Sequence, residues 1–266
     1  MLRKAISRWL NAAWILAALI LTIAITVVLP TNAAPTEMRL TALATPIPFS
    51  GTPTVGALFT VRNGRLGSHF CTASVVNSPQ GNLILTAAHC MAGISETSPS
   101  GIAFVPGYAD GATPAGIWPV TRIFVDSAWA ADANPDDDFA FLTVAQSGHT
   151  SLESITGAEK LGTGDPPADI VRVIGYPDAQ NQPIICQNRT TMFSATQTQF
   201  DCDDFTVGTS GSPLLAGAGG PGPGGHGTVV GVIGGYEQGG DSPDVSYSAA
   251  FGQNAQALYD LAVTQG

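Results

Sequence analysis

From Val55 onward the chain alternates short apolar runs with clusters of Gly, Pro, Asn and Ser. Val55–Val61, Phe70–Val76, Leu83–Ala88, Ile102–Val105, Val120–Val125 and Phe139–Val144 read as one set of strands. Ile170–Ile174, Ile184–Cys186, Pro213–Leu215, Thr228–Ile233 and Val245–Phe251 read as a second. Many short strands at this spacing indicate a sandwich or a pair of barrels. A helical period appears once, over residues 253–263, where Leu258, Leu261 and Ala262 share a face and predict a short C-terminal helix. The polar stretch Gln146–Ala168 reads as the crossover between two halves. Ala216–Gly227, with seven Gly and two Pro, reads as a flexible hairpin loop. No repeat at solenoid periods is present.

The N-terminus follows a different pattern. Arg3, Lys4 and Arg8 precede an uncharged apolar stretch of 18 residues from Ala12 to Leu29, broken by Pro30 and followed by small residues at Thr31–Ala34. That order is the one of a secretory signal, so residues 1–33 are expected to direct export and be removed. The stretch is long for a signal and slightly short for a span of about 20 residues, which leaves an N-terminal anchor facing outside as the alternative. Residues 34–54 carry Pro35, Pro46, Pro48 and Pro53 and read as an extension or short pro-segment ahead of a domain over 55–266. Its first half is placed at about 55–145 and its second at about 168–252 by the strand sets.

Composition narrows the function. Twenty acidic against 10 basic residues give a net charge of −10, and removing the three N-terminal bases leaves 7 basic residues, or −13 for a form cleaved after Ala33. An acidic domain does not neutralise phosphates, which excludes nucleic acid and anionic membranes as partners. The content of 44% hydrophobic residues and only 11% charged ones excludes a disordered chain. Four Cys permit two disulfides outside the cytoplasm, in any of three connectivities.

Three local patterns carry chemistry. In Gly208-Thr209-Ser210-Gly211-Ser212-Pro213, a serine stands on a turn whose glycines allow tight backbone angles. A serine hydroxyl becomes a nucleophile when a neighbouring base takes its proton and backbone N–H groups face the developing oxyanion. Leu85-Thr86-Ala87-Ala88-His89-Cys90 ends an apolar strand in a histidine, which would emerge at a barrel rim as a general base. That base needs an acceptor at its second nitrogen. Within Asp136-Asp137-Asp138 the last acid directly precedes Phe139-Ala140-Phe141-Leu142 and is the one drawn into the interior, while its two neighbours read as a solvated turn. Each pattern also has an ordinary structural reading as a loop, a core histidine or a turn.

In the order His, Asp, Ser, these motifs resemble those of the chymotrypsin-like (trypsin-like) serine peptidases. The likeness runs from about Val55 to Val263, and Val230-Gly231-Val232-Ile233-Gly234-Gly235 is similar to the family's substrate-binding strand. The resemblance implies an all-β fold of two antiparallel six-stranded β-barrels with a short C-terminal helix. It implies His89, Asp138 and Ser210 as catalytic residues, an oxyanion hole at the N–H groups of Gly208 and Ser210, a Cys71–Cys90 disulfide, and no cofactor or metal. Thr209 stands where mammalian digestive members carry an Asp that pairs with a new N-terminus, so that activation switch is expected to be absent. With Gly-Ser-Pro after Ser210, this points to the bacterial secreted branch that includes glutamyl endopeptidases. Cys186 and Cys202 are placed unlike those of the digestive enzymes and are expected to pair across a hairpin leading into the nucleophile loop.

Asp204, six residues before Ser210, matches the acid at the base of the trypsin pocket. Asp244 matches a pocket-wall position, the bulky Phe205 is expected to reshape the pocket, and Asp204 has a second reading as part of an acidic turn with Asp201 and Asp203. Together with Gly234 and Gly235 they are the expected substrate-binding residues. They favour Arg or Lys at P1, the substrate residue on the acyl side of the cleaved bond, through a charge-assisted bond. A glutamyl preference would need a basic group, and none beyond His is evident. The expected activity is that of a secreted, monomeric serine endopeptidase acting on polypeptides. The alternative is a catalytically silent binding or adhesion module on the same scaffold. His69, His149 and His226 lack ligand spacing and give no metal site.

Overall fold

The computed structural model describes residues 44–266 apart from 98, 147, 149, 165–169 and 219–225. The signal-like segment 1–33, residues 34–43 of the extension, parts of the crossover including His149, and the centre of the Gly-rich loop lie outside the described residues.

The first half contains β1 (Ile47–Pro48), β2 (Val55–Arg62), β3 (Arg65–Val75), β4 (Leu83–Thr86), β5 (Ile102–Pro106), β6 (Trp118–Val125) and β7 (Ala140–Val144). Six of these close into a barrel in the order β2-β3-β4-β7-β6-β5. Strands β2 and β3 are joined through Asn63-Gly64, both at positive φ (51° and 71°). Arg62 pairs with Arg65 across that turn. Asn-Gly suits a two-residue hairpin, because both central positions require left-handed backbone. This turn starts β3 five residues before the apolar run at Phe70; the polar Arg65–His69 stretch is drawn into the sheet by pairing rather than by hydrophobicity. Leu58, Val75, Ile84, Phe104, Ile123 and Leu142 fill the barrel.

The second half contains β8 (Lys160–Leu161), β9 (Ile170–Gly175), β10 (Ile184–Arg189), β11 (Thr191–Met192), β12 (Gln197–Asp201), β13 (Pro213–Ala216), β14 (Thr228–Val232) and β15 (Val245–Ala249). It is a six-stranded sheet, β1-β10-β9-β13-β14-β8, with a three-stranded sheet, β11-β12-β15, beside it. All pairs are antiparallel except β8 on β14. Strand β8 reaches that edge from the crossover and not from a hairpin, which frees it to run parallel. Val171, Val173, Ile184, Phe200, Phe205 and Leu214 form the core of this half.

Three features depart from the sequence reading. Residues 44–54 are part of the folded unit. Strand β1 pairs with β10, Phe49 N–H donates to the Pro183 carbonyl, and the Ala44 carbonyl accepts from Asp203 N–H. Their prolines forbid helix but tolerate an edge strand, as Pro48 does. The second departure is two short helices, α1 (Ser127–Asp132) and α2 (Leu152–Thr156), capped by the side chains of Asp126 and Ser151. The third lies in the C-terminal helix α3 (Gln253–Gln265), which buries Ala255, Leu258 and Ala262. Leu261 is 42% exposed, because it sits at the margin of that face, about 60° beyond Leu258 at 100° per residue.

A third cluster lies along the seam of the two halves and gathers residues of both, including Leu85, Phe141, Tyr176, Val232 and Leu258. The structure pairs Cys71 with Cys90 and Cys186 with Cys202, at sequence separations of 19 and 16. Loops of that length give about 3 kcal/mol each in the chain-entropy account. Replacing Cys71 and Cys90 together by Ala is therefore expected to lower Tm by about 6–12 °C. Differential scanning calorimetry of the variant beside the wild type checks this.

Candidate active site

Strand β4 is buried and apolar up to Thr86, where the chain leaves the barrel core and turns at its rim. The 3-10 turn His89–Met91 follows, and the Cys71–Cys90 disulfide ties it to β3. His89 is thereby fixed beside Asp138, the residue that enters β7. His89 Nδ1 lies 2.8 Å from Asp138 Oδ2, and His89 backbone N–H donates to Asp138 Oδ1 at 2.9 Å. Gly235 N–H donates to the same Oδ2 at 2.8 Å. The fully buried carboxylate thus accepts from three N–H groups, which satisfy it without a cation. With Oδ2 as acceptor, His89 carries its proton on Nδ1 and leaves Nε2 with a free lone pair.

The neighbouring acids are bonded rather than solvated. Asp137 is buried and accepts from Asn134 and Asn254, each at 2.6 Å. Asp136 accepts from Gln197 Nε2 at 2.8 Å. Asn134 is local, whereas Gln197 and Asn254 come from β12 and α3, so the cluster is held in part by elements far along the chain. Gln197 Oε1 also accepts from Tyr236 N–H at 3.1 Å, tying the Asp136 turn to the segment after β14.

Ser210 enters from the second half. The segment between β12 and β13 turns on itself through Thr209 N–H and Thr209 Oγ1–H, both donating to the Thr206 carbonyl. Gly208 and Gly211 have φ of 96° and 82°. A side chain at Gly211 would lie 2.2 Å from the Thr72 carbonyl oxygen and from Thr86 Oγ1, so the loop packs directly on the first barrel. The N–H groups of Thr209, Gly211 and Ser212 all find backbone acceptors. Those of Gly208 and Ser210 find none among the described residues. Two unpaired N–H groups beside a serine are the donor set that anion binding requires.

His89, Gly208 and Ser210 line one cleft of about 570 Å³, together with Phe70, the Cys71–Cys90 disulfide, Phe205–Val207 and residues 237–243. Phe205 is one of the lining residues. Asp204 and Asp244 do not line the cleft. Asp204 is exposed at φ 62°, and Asp244 accepts from Ser242 Oγ at 2.7 Å. Gly234 and Gly235 lie behind Asp138 instead of in the lining: a side chain at Gly234 would fall 2.8 Å from the Asp138 carbonyl oxygen. Among the described residues, the carboxylates that do line the cleft are Glu237 and Asp241, and no Lys or Arg joins them. Glu237 and Gln238 are consecutive left-handed residues (φ 51° and 53°), an unusual backbone for side chains of this size. The Tyr236 hydroxyl is held above its ordinary pKa, first by its hydrogen bond to Glu237 and then by that residue's charge.

A metal role is excluded for the one His/Cys/acid group found among the described residues. It comprises Cys71, His89 and Cys90, and both sulfurs are consumed in a disulfide. Sequence reasoning missed Thr72, Gln197, Glu237 and Asp241. Only Glu237 offered a signal, as an acid close behind the Gly234-Gly235 strand.

The model for the trypsin-like peptidase domain matches residues 71–232. No curated protein sequence matches the chain. Among solved structures, the chain resembles the protease Anisep from Arthrobacter nicotinovorans with 22% identity and a TM-score of 0.67, over 82% of this chain and 99% of that one. It resembles the thermostable serine protease AL20 from an extremophilic microorganism with 24% identity and a TM-score of 0.66, over 81% and 99%. A Glu endopeptidase in complex with MPD matches with 18% identity and a TM-score of 0.62, over 84% and 97%. These likenesses show the fold, and the domain match spans more than half of the sequence. The chain belongs to the trypsin-like peptidase domain family and is a serine-type endopeptidase, a hydrolase of peptide bonds.

Proposed function

We propose that this endopeptidase is exported and works through Ser210, His89 and Asp138. The observation that carries the reading is the His89–Asp138 pair, at 2.8 Å, whose His89 lines the same cleft as Ser210. His89 Nε2 takes the Ser210 proton as Oγ attacks the scissile carbonyl carbon, and the C=O electrons move onto oxygen. The Gly208 and Ser210 N–H groups meet that oxyanion. Collapse of the intermediate breaks the C–N bond, and His89 hands its proton to the leaving amine. Water then repeats the sequence on the acyl-enzyme and releases the acid. Asp138 holds the Nδ1 proton and stabilises the imidazolium formed in each half. No hydrogen bond joins Ser210 to His89 in this conformation among the described residues; such bonds commonly tighten only when substrate binds.

Two paired disulfides support a compartment outside the cytoplasm. No helix among the described residues is long and apolar enough to cross a membrane. The proposed P1 preference is for Arg or Lys. It is supported by Glu237 and Asp241 in the lining, which take the part first given to Asp204 and Asp244. Both carboxylates are exposed, so the preference is modest, about 2- to 10-fold in kcat/KM. Cleavage profiling of a mixed peptide library with wild type, Ser210→Ala and Glu237→Gln/Asp241→Asn tests both parts. Cleavage is expected from the wild type and the charge-neutralised variant but not from Ser210→Ala, with the preference for basic residues present in the wild type and lost in the charge-neutralised variant. A wild type indifferent to P1 charge contradicts the specificity, and equal cleavage by Ser210→Ala contradicts the mechanism.

A further inference from the structure

The donor geometry at Ser210 depends on how the peptide units of its loop are turned. Each of the four carbonyls from Val207 to Ser210 has a hydrogen-bond donor. The Val207 carbonyl accepts from Asp178 N–H at 2.8 Å, and the Thr209 carbonyl from Ser212 N–H at 2.9 Å and Ser212 Oγ–H at 2.6 Å. In a trans peptide the N–H points opposite its C=O. Anchoring these two carbonyls therefore turns the N–H groups of Gly208 and Ser210 the other way, without protein acceptors. The remaining two carbonyls, of Gly208 and Ser210, are both held by Thr72. Its hydroxyl donates to Gly208 O at 3.0 Å and its backbone N–H to Ser210 O at 2.8 Å.

Thr72 is fully buried on β3, next to Cys71. Its hydroxyl oxygen accepts from Tyr176 N–H at 2.9 Å, and its carbonyl accepts from Thr86 Oγ1–H at 2.7 Å. The Thr72 hydroxyl thus joins the residue after β9 to the nucleophile loop, while its backbone carbonyl ties in the strand leading to His89. Thr209 is uncharged, and among the described residues its side chain bonds only within the loop. A purely structural threonine would need one partner for its hydroxyl; this one spans the two halves at the peptide beside the unpaired Gly208 N–H.

We infer that the Thr72 hydroxyl is a positioning residue that holds the Ser210 loop with its two N–H donors facing the cleft, so that the oxyanion site is assembled without a terminal ion pair. The inference rests on the proposed function of that site. In a flexible loop these peptides could rotate, and a misplacement of about 1 Å at a reacting centre costs on the order of 100-fold in rate.

The test compares wild type, Thr72→Val and Thr72→Ser, with enzyme concentration set by titration with an organophosphonate. Thr72→Val is expected to lower kcat by about tenfold or more with KM changed by less than about threefold, as for a loss confined to the transition state. It should weaken a peptidyl aldehyde, whose adduct carries the oxyanion, by the same factor as kcat. A product peptide, which carries none, should bind as before. Thr72→Ser, which keeps the hydroxyl, should restore both quantities. If Thr72→Val does not fold, Thr72→Ala carries the same comparison with Thr72→Ser. Unchanged kcat and aldehyde affinity in the hydroxyl-less variant overturn the inference, as does an equal loss in Thr72→Ser. A wild type that takes up no phosphonate overturns the proposed function itself, and that is seen before any variant is compared.

Discussion

Replacing Ser210 by Ala is expected to lower kcat on a cleavable peptide by on the order of a millionfold while leaving the fold intact. The size follows from what the hydroxyl does: without Oγ no acyl-enzyme forms, and His89 has no proton to take. Residual hydrolysis then depends on binding and on the Gly208 and Ser210 N–H groups, worth about 10³–10⁴ over water. Stability should hardly move, because Ser210 makes its packing contacts through its backbone. Its carbonyl is bonded to Thr72 N–H, and its hydroxyl bonds to nothing among the described residues. Single-turnover kinetics beside a thermal melt checks both halves of the expectation. A loss of activity with an unchanged melt assigns the effect to chemistry. A loss of less than about 100-fold would remove Ser210 from the nucleophile's role.

Asp138→Asn is the second large effect, a loss of about 10⁴ in kcat. The carboxylate receives His89 N–H on Oδ1, and His89 Nδ1–H with Gly235 N–H on Oδ2. A side-chain amide has one acceptor and one donor end, so it cannot meet this pattern in either orientation. With its oxygen toward the ring, its NH₂ faces the His89 backbone N–H, donor against donor. Turned over, its NH₂ donates to Nδ1, forces the ring proton onto Nε2, and leaves no base for Ser210. Either way, the charge that stabilises the imidazolium is gone. Stopped-flow or steady-state assays give the loss. Retained activity within tenfold of wild type would show that His89 does not need this acid.

The strands were legible where burial made them apolar. The barrel strands around Leu58, Ile84, Phe104 and Leu142 pack on both sides and read as runs. Strand β12, with the sequence Gln197-Thr198-Gln199-Phe200-Asp201, did not, because its polar side chains find partners in the structure. Gln197 bonds to the Pro135 carbonyl, Asp136 and Tyr236 N–H. No local pattern announces such a contact, since the two ends lie 62 residues apart. The His89, Asp138 and Ser210 motifs were visible because each is a short string with a fixed local geometry. The cleft wall was not: counting back from Ser210 pointed to Asp204, whereas the left-handed pair Glu237-Gln238 brings other carboxylates to the lining. Thr72 was invisible for the same reason as Gln197. Its importance lies in what the topology sets beside it, 136 residues away at Gly208.

The most direct measurement of the central claim is the site and stoichiometry of covalent labelling. Folded wild-type protein is incubated with an organophosphonate and analysed by intact mass and peptide mapping. One adduct per chain, on Ser210, is expected, with labelling slowed by orders of magnitude in His89→Ala. No adduct on folded protein, or an adduct on another serine with Ser210 unmodified, would contradict it.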